Sequence, residues 1–322
     1  MIKSTNDGES VKQKNKTLTV LTAGSTYLDI DAYACCVAMA ELLRLKGKNA
    51  IAYSFASCNY SVCKSLVTEK QVLKVLPPDY CSGDIRYIIV DVSDPNFIKD
   101  VVPLEQIIEV YDHHAGFEEY WTSRIGDKAH IEFIGAAATL IYREWKLSGL
   151  QEKISHSTAK LLIAAILDNT LNLTSSNVTQ EDVETFNELC ERENIDKKWC
   201  SDYFSEVQTS IESDLKNALF GDIKTIRENN ILPHKIAQIS VWDAQSILDS
   251  LPKIRGWFAE TTDTWMINVI DICHRCSYFV CDDSSCQKRI EKIFDVHFES
   301  GIAKSSVSYL RKEIIKKTIV YN

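Results

Sequence analysis

The sequence predicts an α/β protein of two domains, in which a parallel sheet with helices on both faces is followed by a smaller α+β domain. Three observations support this prediction. The chain has 322 residues, and domains average roughly 150. Short β-branched segments alternate with longer segments of helical periodicity, as is typical of a parallel sheet covered by helices. Hydrophobic residues make up 45% of the chain and charged residues 25%, which is enough apolar material for a core.

The first domain is expected over residues 17–193, after a polar and solvated tail at residues 1–16. β-branched and apolar side chains predict strands at residues 17–22, 50–55, 87–90 and 107–111. Helical periodicity predicts helices at residues 31–46, 135–146, 157–167 and 179–193. Gly47 would end the first helix, because glycine tolerates a left-handed conformation. Thr179 would cap the last, with Asp182 in its first turn.

The second domain is expected over residues 200–322. A short polar and charged segment at residues 194–199 is the expected linker between the two domains. After a further helical segment, strands are expected near residues 235–241, 265–271 and 277–281, with a helix opening around Asp243. This mixture of elements predicts the α+β class.

The charge balance limits the partners of the protein. Acidic side chains number 45 and basic side chains 36, which gives a net charge of −9. This charge disfavours broad binding to nucleic acid or to an anionic membrane. No apolar run approaches the roughly 20 residues of a membrane span. The N-terminus also lacks the apolar core of a signal peptide, so we expect a cytoplasmic protein.

The eleven cysteines allow two interpretations. Their odd number, and the position of Cys35 and Cys36 inside an apolar helical pattern, favour free thiols in a reducing compartment. The densest group could instead hold structural zinc. That group has CxxC spacing followed by Cx4C spacing and consists of Cys273, Cys276, Cys281 and Cys286. Residues 277–280 between its two pairs have the pattern of a strand, which favours ordinary thiols.

Acidic and histidine side chains follow the predicted elements of the first domain. Asp29 and Asp31 come after the first strand, Asp91 ends another, and Asp168 ends an apolar helical stretch. The tripeptide Asp112-His113-His114 follows the fourth strand. Ligands of α/β sheets bind beyond the carboxyl ends of the strands, so these groups could share one cleft. Each aspartate taken alone could equally be a helix cap or a turn residue.

Several carboxylates at one sheet edge repel one another, and a divalent cation removes that cost. Aspartate and histidine together suit Mn²⁺ or Mg²⁺. Two such ions can share a carboxylate, clamp a phosphoryl oxygen and lower the pKa of a water between them. The pattern therefore favours a metal-dependent phosphoryl hydrolase.

The motifs resemble those of the DHH phosphoesterases over residues 17–190. The matching segments are Leu28-Asp29-Ile30-Asp31-Ala32, Ile89-Val90-Asp91, Asp112-His113-His114, residues 133–139 and residues 165–173. The segment from Ser308 to Ile315 resembles the end of the DHHA2 domain, which family II inorganic pyrophosphatases share with cytosolic exopolyphosphatases and prune-like proteins. The resemblance implies a metal-binding DHH domain, a substrate-binding DHHA2 domain and hydrolysis of pyrophosphate or short-chain polyphosphate with two bound Mn²⁺ or Mg²⁺ ions.

The resemblance also implies roles for individual residues. One metal would be held by Asp31, Asp91, His113 and Asp168, and the other by Asp29 with Asp91 shared. His114 and Asp91 would be the catalytic residues, with His114 facing the phosphate. Arg311 and Lys312 would bind the substrate from the second domain. Some family members dimerise through the edge of the first sheet, so the resemblance leaves a homodimer as one possibility for this protein.

Three positions depart from the family pattern. The pyrophosphatases have a metal-binding histidine where this chain has Ser25, which favours the exopolyphosphatase branch and Mg²⁺ at that site. A lysine of the C-terminal motif is replaced by Glu313. The family has a substrate-binding lysine early in the second domain. The one candidate for it in this chain is Lys216, which lies slightly out of register with the family pattern.

Two other functions remain as alternatives. The same metal core could serve a phosphodiesterase of short oligonucleotides or nucleotides, although the net acidity of the chain and the absence of a GGGH segment count against it. Ser25 and Glu313 would also suit a catalytically weakened regulatory homologue.

Overall fold

The computed structural model describes residues 17–24, 28–67, 73, 84–226, 231–260 and 264–319. The predicted tail at residues 1–16 and the candidate ligand Ser25 lie outside these residues. The first half of the chain contains β1 (Leu18–Thr22), α1 (Ile30–Leu45), β2 (Ala50–Ala52), β3 (Ile85–Val90), β4 (Ile107–Asp112), α2 (Glu118–Ile125), β5 (Ala129–Ile131), α3 (Ala137–Leu147), α4 (His156–Asn169) and α5 (Gln180–Glu193).

The five strands of the first half form one parallel sheet in the order β2-β1-β3-β4-β5. Successive side chains of a strand point to opposite faces, so each strand contributes to two cores. Leu21 and Ile88 pack with α1, α3 and α4 on one face. Val20 and Ile89 pack with Trp121 of α2 on the other face. The predicted parallel sheet with helices on both faces is confirmed.

Local sequence signals set the helix ends that frame the site. The carboxylate of Asp29 accepts a hydrogen bond from the Ala32 amide and so caps the first turn of α1. Gly47 lies just beyond the other end of α1 with a φ of 75°, as the sequence predicts. Thr179 and Asp182 form a reciprocal capping box at the start of α5.

The second half of the chain forms a mixed sheet covered by helices. Its elements are α6 (Lys197–Ser213), α7 (Leu215–Gly221), β6 (Lys224–Thr225), β7 (Lys235–Val241), α8 (Gln245–Asp249), α9 (Leu251–Ala259), β8 (Trp265–Asp271), β9 (Cys276–Val280), α10 (Ser284–Phe294), β10 (Phe298–Glu299), β11 (Ile302–Ser305) and α11 (Arg311–Ile319). The strand order is β10-β11-β9-β8-β7-β6, and among the described strands of this second sheet only the β7–β8 pair is parallel.

The helix α6 connects the two halves. Asn194 adopts a left-handed conformation after α5, and Asp196 caps the start of α6. The buried face of α6 packs against residues of both halves, so the core is continuous across the predicted linker. The boundaries at residues 193 and 200 stay a prediction.

Two differences from the sequence expectations concern the first sheet. β2 ends at Ala52, three residues earlier than expected. The sequence analysis also missed α2 and β5, because both are short and their apolar pattern is weak. In the described part of the chain, none of the helices combines the length and the apolar character that crossing a bilayer requires.

Candidate metal centre

The carboxyl ends of β3 and β4 bring the DHH tripeptide next to Asp91. Asp91 follows β3 directly, and its amide donates to the carbonyl of Tyr111 in β4. Within the described ranges, Asp91, His113 and His114 are the only three His, Cys, Asp or Glu side chains whose potential ligand atoms lie within 4.8 Å of one another. The four cysteines weighed as a zinc site form no such cluster there. The sheet edge that the sequence predicts is therefore where these side chains meet.

Two hydrogen-bond acceptors face each other at the centre of this cluster. His113 Nδ1 lies 3.1 Å from the carbonyl oxygen of Ile134, so Nδ1 carries the proton and Nε2 has a free lone pair. That Nε2 lies 3.4 Å from Asp91 Oδ1. Neither atom has a hydrogen-bond partner among the described residues, and the two side chains are 1% and 6% exposed. A cation between the two atoms would satisfy both.

The surrounding carboxyl groups shift the pKa of Asp91 upward. Burial is the main cause, and the negative charges of Asp29, Asp31 and Asp112 add to it. The carboxyl groups of Asp29 and Asp91 lie close enough to interact through a hydrogen bond, which requires a proton on one of the two. The charge of one or more divalent cations can replace that proton.

Asp31 is fully buried and is held by the start of α3. Its two carboxylate oxygens accept hydrogen bonds from the amides of Ala137 and Ala138, each at 2.8 Å. Asp31 Oδ1 also accepts from the Cys35 thiol at 3.4 Å, so Oδ2 is the oxygen that keeps a lone pair for a cation. Burial, followed by the charge of Asp29, raises the pKa of Asp31.

Asp112 orients His114. Its Oδ1 accepts from the amides of His113 and His114 and lies 2.8 Å from His114 Nδ1. Burial raises the pKa of Asp112, but the hydrogen bond and charge of His114 outweigh it, so the net pKa is lowered. An ionised Asp112 places the imidazole proton on Nδ1 of His114, whose side chain is 53% exposed. Its Nε2 is then left for a ligand in the cleft.

Asp168 lies in the last turn of α4, not at the end of a strand. Its Oδ1 accepts a hydrogen bond of 3.1 Å from the hydroxyl of Tyr203 in α6. Burial, with a contribution from the charge of Asp29, raises the pKa of Asp168 to about 7. Because the charge of Asp29 acts on Asp168, Asp168 belongs to the same cluster of acidic residues as Asp29, Asp31 and Asp91.

A loop between β5 and α3 supports this group. It supplies the Ile134 carbonyl to His113 and the first amides of α3 to Asp31. The buried carboxylate of Asp182 accepts from the Gly135 amide at 2.8 Å and from the Thr139 hydroxyl at 2.6 Å. A Cβ at Gly135 would lie 2.7 Å from Asp182 Oδ2, so only glycine fits this close approach.

The second half of the chain places the charge of Lys312 near the metal centre. Lys312 lies close enough for its charge to lower the pKa of His113, after the larger effects of burial and of His114. Lys312 is itself exposed, and the nearby carboxylates of Asp91, Glu313 and Asp112 favour its charged form. Lys224 in β6, which the sequence analysis did not select, is exposed and lies near the charges of Arg311, Asp222 and Lys312.

The other predicted substrate contacts lie in different surroundings. Arg311 is buried, and its guanidinium donates to both carboxylate oxygens of Asp222, at 2.7 and 3.0 Å. Lys216 is exposed and lies 5.9 Å from the ring centres of Phe220 and Trp257. The carboxylate of Glu313 accepts from the Leu310 amide and from the Ser176 hydroxyl of the first domain. The negative charge of Glu313 is thus paired with hydrogen-bond donors at the start of α11.

Comparisons with known proteins agree with the motifs. No family model matches the chain. A probable manganese-dependent inorganic pyrophosphatase of Staphylococcus haemolyticus is 25% identical over 308 residues, which cover 89% of this chain and 93% of the relative. A relative of the same name from Staphylococcus aureus is also 25% identical, over 301 residues. The resemblance predicted from the motifs is confirmed.

Solved structures of pyrophosphatase-like proteins share the fold. The structure of a candidate family II inorganic pyrophosphatase from Methanococcus jannaschii covers 93% of this chain and 98% of that chain, with a TM-score of 0.66 and 16% identity. An exopolyphosphatase-related protein from Bacteroides fragilis covers 94% and 90%, with a TM-score of 0.50 and 14% identity. At these identities the structural likeness shows the α/β fold.

Sequence reasoning missed several residues in and around the candidate metal centre. Asp182 was noted only as a cap residue, and Tyr203, Lys224 and Asp222 carried no motif. Asp112 belongs to the DHH tripeptide, but the sequence could not distinguish a ligand from a residue that orients its neighbour. The signal for the others is spatial, because each acts on a residue far away in the chain.

Proposed function

We propose that this protein hydrolyses the phosphoanhydride bond of pyrophosphate or short-chain polyphosphate, with two divalent cations, Mn²⁺ or Mg²⁺, bound at the candidate metal centre. The observation that carries the proposal is the pair of acceptors His113 Nε2 and Asp91 Oδ1, buried 3.4 Å apart without a proton donor among the described residues. The donor set of carboxylates and imidazole suits both metals. The nearly full-length likeness to pyrophosphatases supports the substrate class.

The proposed ligands are Asp29, Asp31, Asp91, His113 and Asp168, with Asp91 shared between the two cations. Bound divalent cations supply Lewis acidity toward phosphoryl oxygens and acidify water at the site. The hydrogen bonds to Asp31, His113 and Asp168 hold these side chains in fixed orientations before any ligand arrives. Such preorganisation is what transition-state stabilisation requires.

We assign His114 to the substrate phosphate. With Nδ1 donating to Asp112, a protonated Nε2 would point a hydrogen bond at a phosphate oxygen, and the Asp112 carboxylate would stabilise the resulting imidazolium. His114 could then pass its Nε2 proton to the leaving phosphate as a general acid. Lys312 and Lys224 would offset the charge of the substrate from the side of the second domain. Arg311, bound to Asp222, would reach substrate only by leaving that ion pair.

A substrate panel tests the proposal. The protein is stripped of metal with a chelator, and phosphate release is measured on pyrophosphate, tripolyphosphate, longer polyphosphate, cyclic dinucleotides and a dinucleotide RNA, with Mn²⁺ or Mg²⁺ added back. Metal-dependent release from pyrophosphate or tripolyphosphate is expected. Turnover of the nucleotide substrates alone would assign the protein to the phosphodiesterases. Metal binding without turnover would indicate a regulatory homologue.

Asp91→Ala should reduce turnover by at least about 100-fold, because even residues that only support a metal ligand typically cost 10–100-fold. Asp94→Ala is the matched control, since Asp94 lies in the same loop and only caps the short helical turn that begins at Pro95. Both variants are assayed for phosphate release and for Mn²⁺ binding by calorimetry. If Asp91→Ala kept most of its activity, a shared carboxylate could not be part of the mechanism.

We further propose a cytoplasmic protein that acts on a small phosphate substrate without a nucleic-acid partner. The described cysteines all carry free thiols, as a reducing compartment would allow. The net charge of −9 disfavours nucleic acid. A homodimer through an edge of the first sheet is a further proposal, which sedimentation of the purified protein would test.

A further inference from the structure

Tyr203 connects the candidate metal centre to the helix that begins the second half of the chain. It lies in α6 and is 4% exposed. Its hydroxyl oxygen lies 3.1 Å from Asp168 Oδ1 and 3.2 Å from the carbonyl oxygen of Ser61. The Ser61 carbonyl and an ionised Asp168 are both acceptors, so the phenol is then the donor, and its single proton is shared between them.

Among the described residues, Asp168 has fewer hydrogen-bond donors than Asp31 or Asp112. Asp31 is held by two backbone amides, and Asp112 by two amides and an imidazole. Among the hydrogen bonds of the described residues, the Tyr203 hydroxyl is the one donor to the Asp168 carboxylate. Without it, the carboxylate would be free to rotate about its side-chain bonds.

The position of the Tyr203 hydroxyl is itself fixed by packing. The Tyr203 ring stacks on Trp199 at 6.3 Å and contacts Phe204 at 5.1 Å. Phe204 in turn stacks on Trp242, which directly follows β7 of the second sheet. The thiol of Cys63 in the first half contacts the Tyr203 carbonyl. A row of rings therefore links the Asp168 carboxylate to the second sheet.

The second acceptor of the hydroxyl extends the connection to α1. The Ser61 hydroxyl oxygen accepts a hydrogen bond of 2.9 Å from the amide of Ile30. Ile30 lies between the proposed ligands Asp29 and Asp31. The Tyr203 hydroxyl thus contacts the proposed ligand Asp168 directly. Through Ser61 and Ile30 it is also connected to the segment that carries the proposed ligands Asp29 and Asp31.

We infer that Tyr203 is a positioning residue of the metal centre, which fixes the Asp168 carboxylate for a divalent cation and ties it to α6. The inference rests on the metal centre of the proposed function. Partners that orient metal ligands usually change metal affinity about 10–100-fold when they are removed. Tyr203 would thereby make metal affinity depend on how the second half of the chain packs against the first half.

Tyr203→Phe removes the hydroxyl and keeps the ring stack. We expect the Mn²⁺ dissociation constant, measured by calorimetry without substrate, to rise at least about tenfold. Activity should return toward that of the unmodified protein at high Mn²⁺, which a damaged fold would not permit. Thermal unfolding of the variants in chelator defines a temperature at which every variant is folded. Mn²⁺ binding is then measured at that temperature.

Two further variants separate positioning from a general effect. Tyr60→Phe removes another hydroxyl that crosses between the two halves, to the Asp214 carbonyl, and it should leave Mn²⁺ affinity unchanged. In an Asp168→Asn background, Tyr203→Phe should cause no further loss of affinity, because the carboxylate it orients is absent.

The possible failures are distinguishable. If Tyr203→Phe bound Mn²⁺ as tightly as the unmodified protein, or weakened binding equally in the Asp168→Asn background, the positioning role would be overturned while the proposed function stood. If the unmodified protein bound no Mn²⁺, the metal centre itself would be wrong.

Discussion

Single residues of the metal centre show how burial changes the chemistry of a carboxyl group. Burial raises the pKa of Asp31, Asp91 and Asp168 above the ordinary range of aspartate. A carboxyl group in this state keeps its proton near neutral pH unless a cation replaces it. Metal binding to such a site must release protons, so affinity for Mn²⁺ should rise with pH.

Asp168→Asn should stabilise the metal-free protein, and the gain should grow with pH. Asp168 keeps its proton in the folded state up to about pH 7, whereas an unfolded aspartate loses it near its ordinary value of 3.8. Between these values the folded state binds the extra proton, so raising the pH lowers the stability contributed by Asp168. Urea unfolding in chelator at pH 5 and pH 8 should show a larger advantage of the variant at pH 8.

Saturating Mn²⁺ provides the control for this comparison. With metal bound, the ionised Asp168 is paired with a cation, and the unmodified protein should become the more stable of the two. An advantage of Asp168→Asn in chelator that shrank between pH 5 and pH 8 would contradict the raised pKa.

At the scale of elements, the segments around the site adopt unfavourable backbone conformations. Asp91, directly after β3, has a φ of 56°. Three successive residues after α4, Leu171, Asn172 and Leu173, have φ values of 49°, 59° and 59°. Left-handed backbone costs an L-residue roughly 1–2 kcal/mol, so neighbouring contacts must hold these turns in place. Such strain commonly occurs at functional sites.

Asp182→Ala tests how the loop between β5 and α3 is held. The substitution would leave the Gly135 amide and the Thr139 and Thr179 donors without their acceptor, and each buried unpaired donor costs about 1–3 kcal/mol. We expect the free energy of unfolding to fall by about 3 kcal/mol or more, measured in urea.

Glu184→Ala is the matched control for this prediction. Glu184 is an exposed acid on the same helix, and its side chain accepts from Gln180. Its removal should change stability by less than about 0.5 kcal/mol. Equal losses in the two variants would mean that the Asp182 network does not stabilise the loop.

At the scale of the whole molecule, the two halves of the chain place opposite charges near each other. The acidic and histidine side chains come from the first sheet and the helices α1 and α4. The charge of Lys312, at the start of α11, acts on His113 from the second domain. Next to Lys312 in the chain, Glu313 accepts a hydrogen bond from Ser176 of the first half. A polyphosphate bound at the metal centre would contact cations on both sides.

Lys312→Ala should raise the KM for pyrophosphate about tenfold or more, because a hydrogen bond to a charged group contributes about 1.5–3 kcal/mol. Mn²⁺ affinity should stay the same or tighten, since a positive charge near the site is removed. Steady-state kinetics and calorimetry measure the two effects separately. Lys316→Ala, an exposed change on the same helix, should leave both unchanged. A similar rise in KM for both variants would indicate a general effect of net charge.

The sequence by itself determined the periodic elements and the class of the fold. The strands β7 and β8 begin and end where residues 235–241 and 265–271 predict, and the capping box of α5 follows from Thr179 and Asp182. These features depend on side chains a few positions apart, which the sequence shows directly. The acidic and histidine residues of the site could be identified from the sequence for the same reason, since each follows a predicted strand or helix.

The tertiary structure alone decided which groups support, neutralise or face one another. Tyr203 reaches Asp168 across 35 positions, Asp182 reaches Gly135 across 47, and Arg311 reaches Asp222 across 89. No local pattern specifies such contacts, because they depend on how the sheets and helices pack. The same packing turned Arg311 toward Asp222 and left His113 Nε2 and Asp91 Oδ1 facing each other, and it is this desolvated pair that makes a cation favourable there.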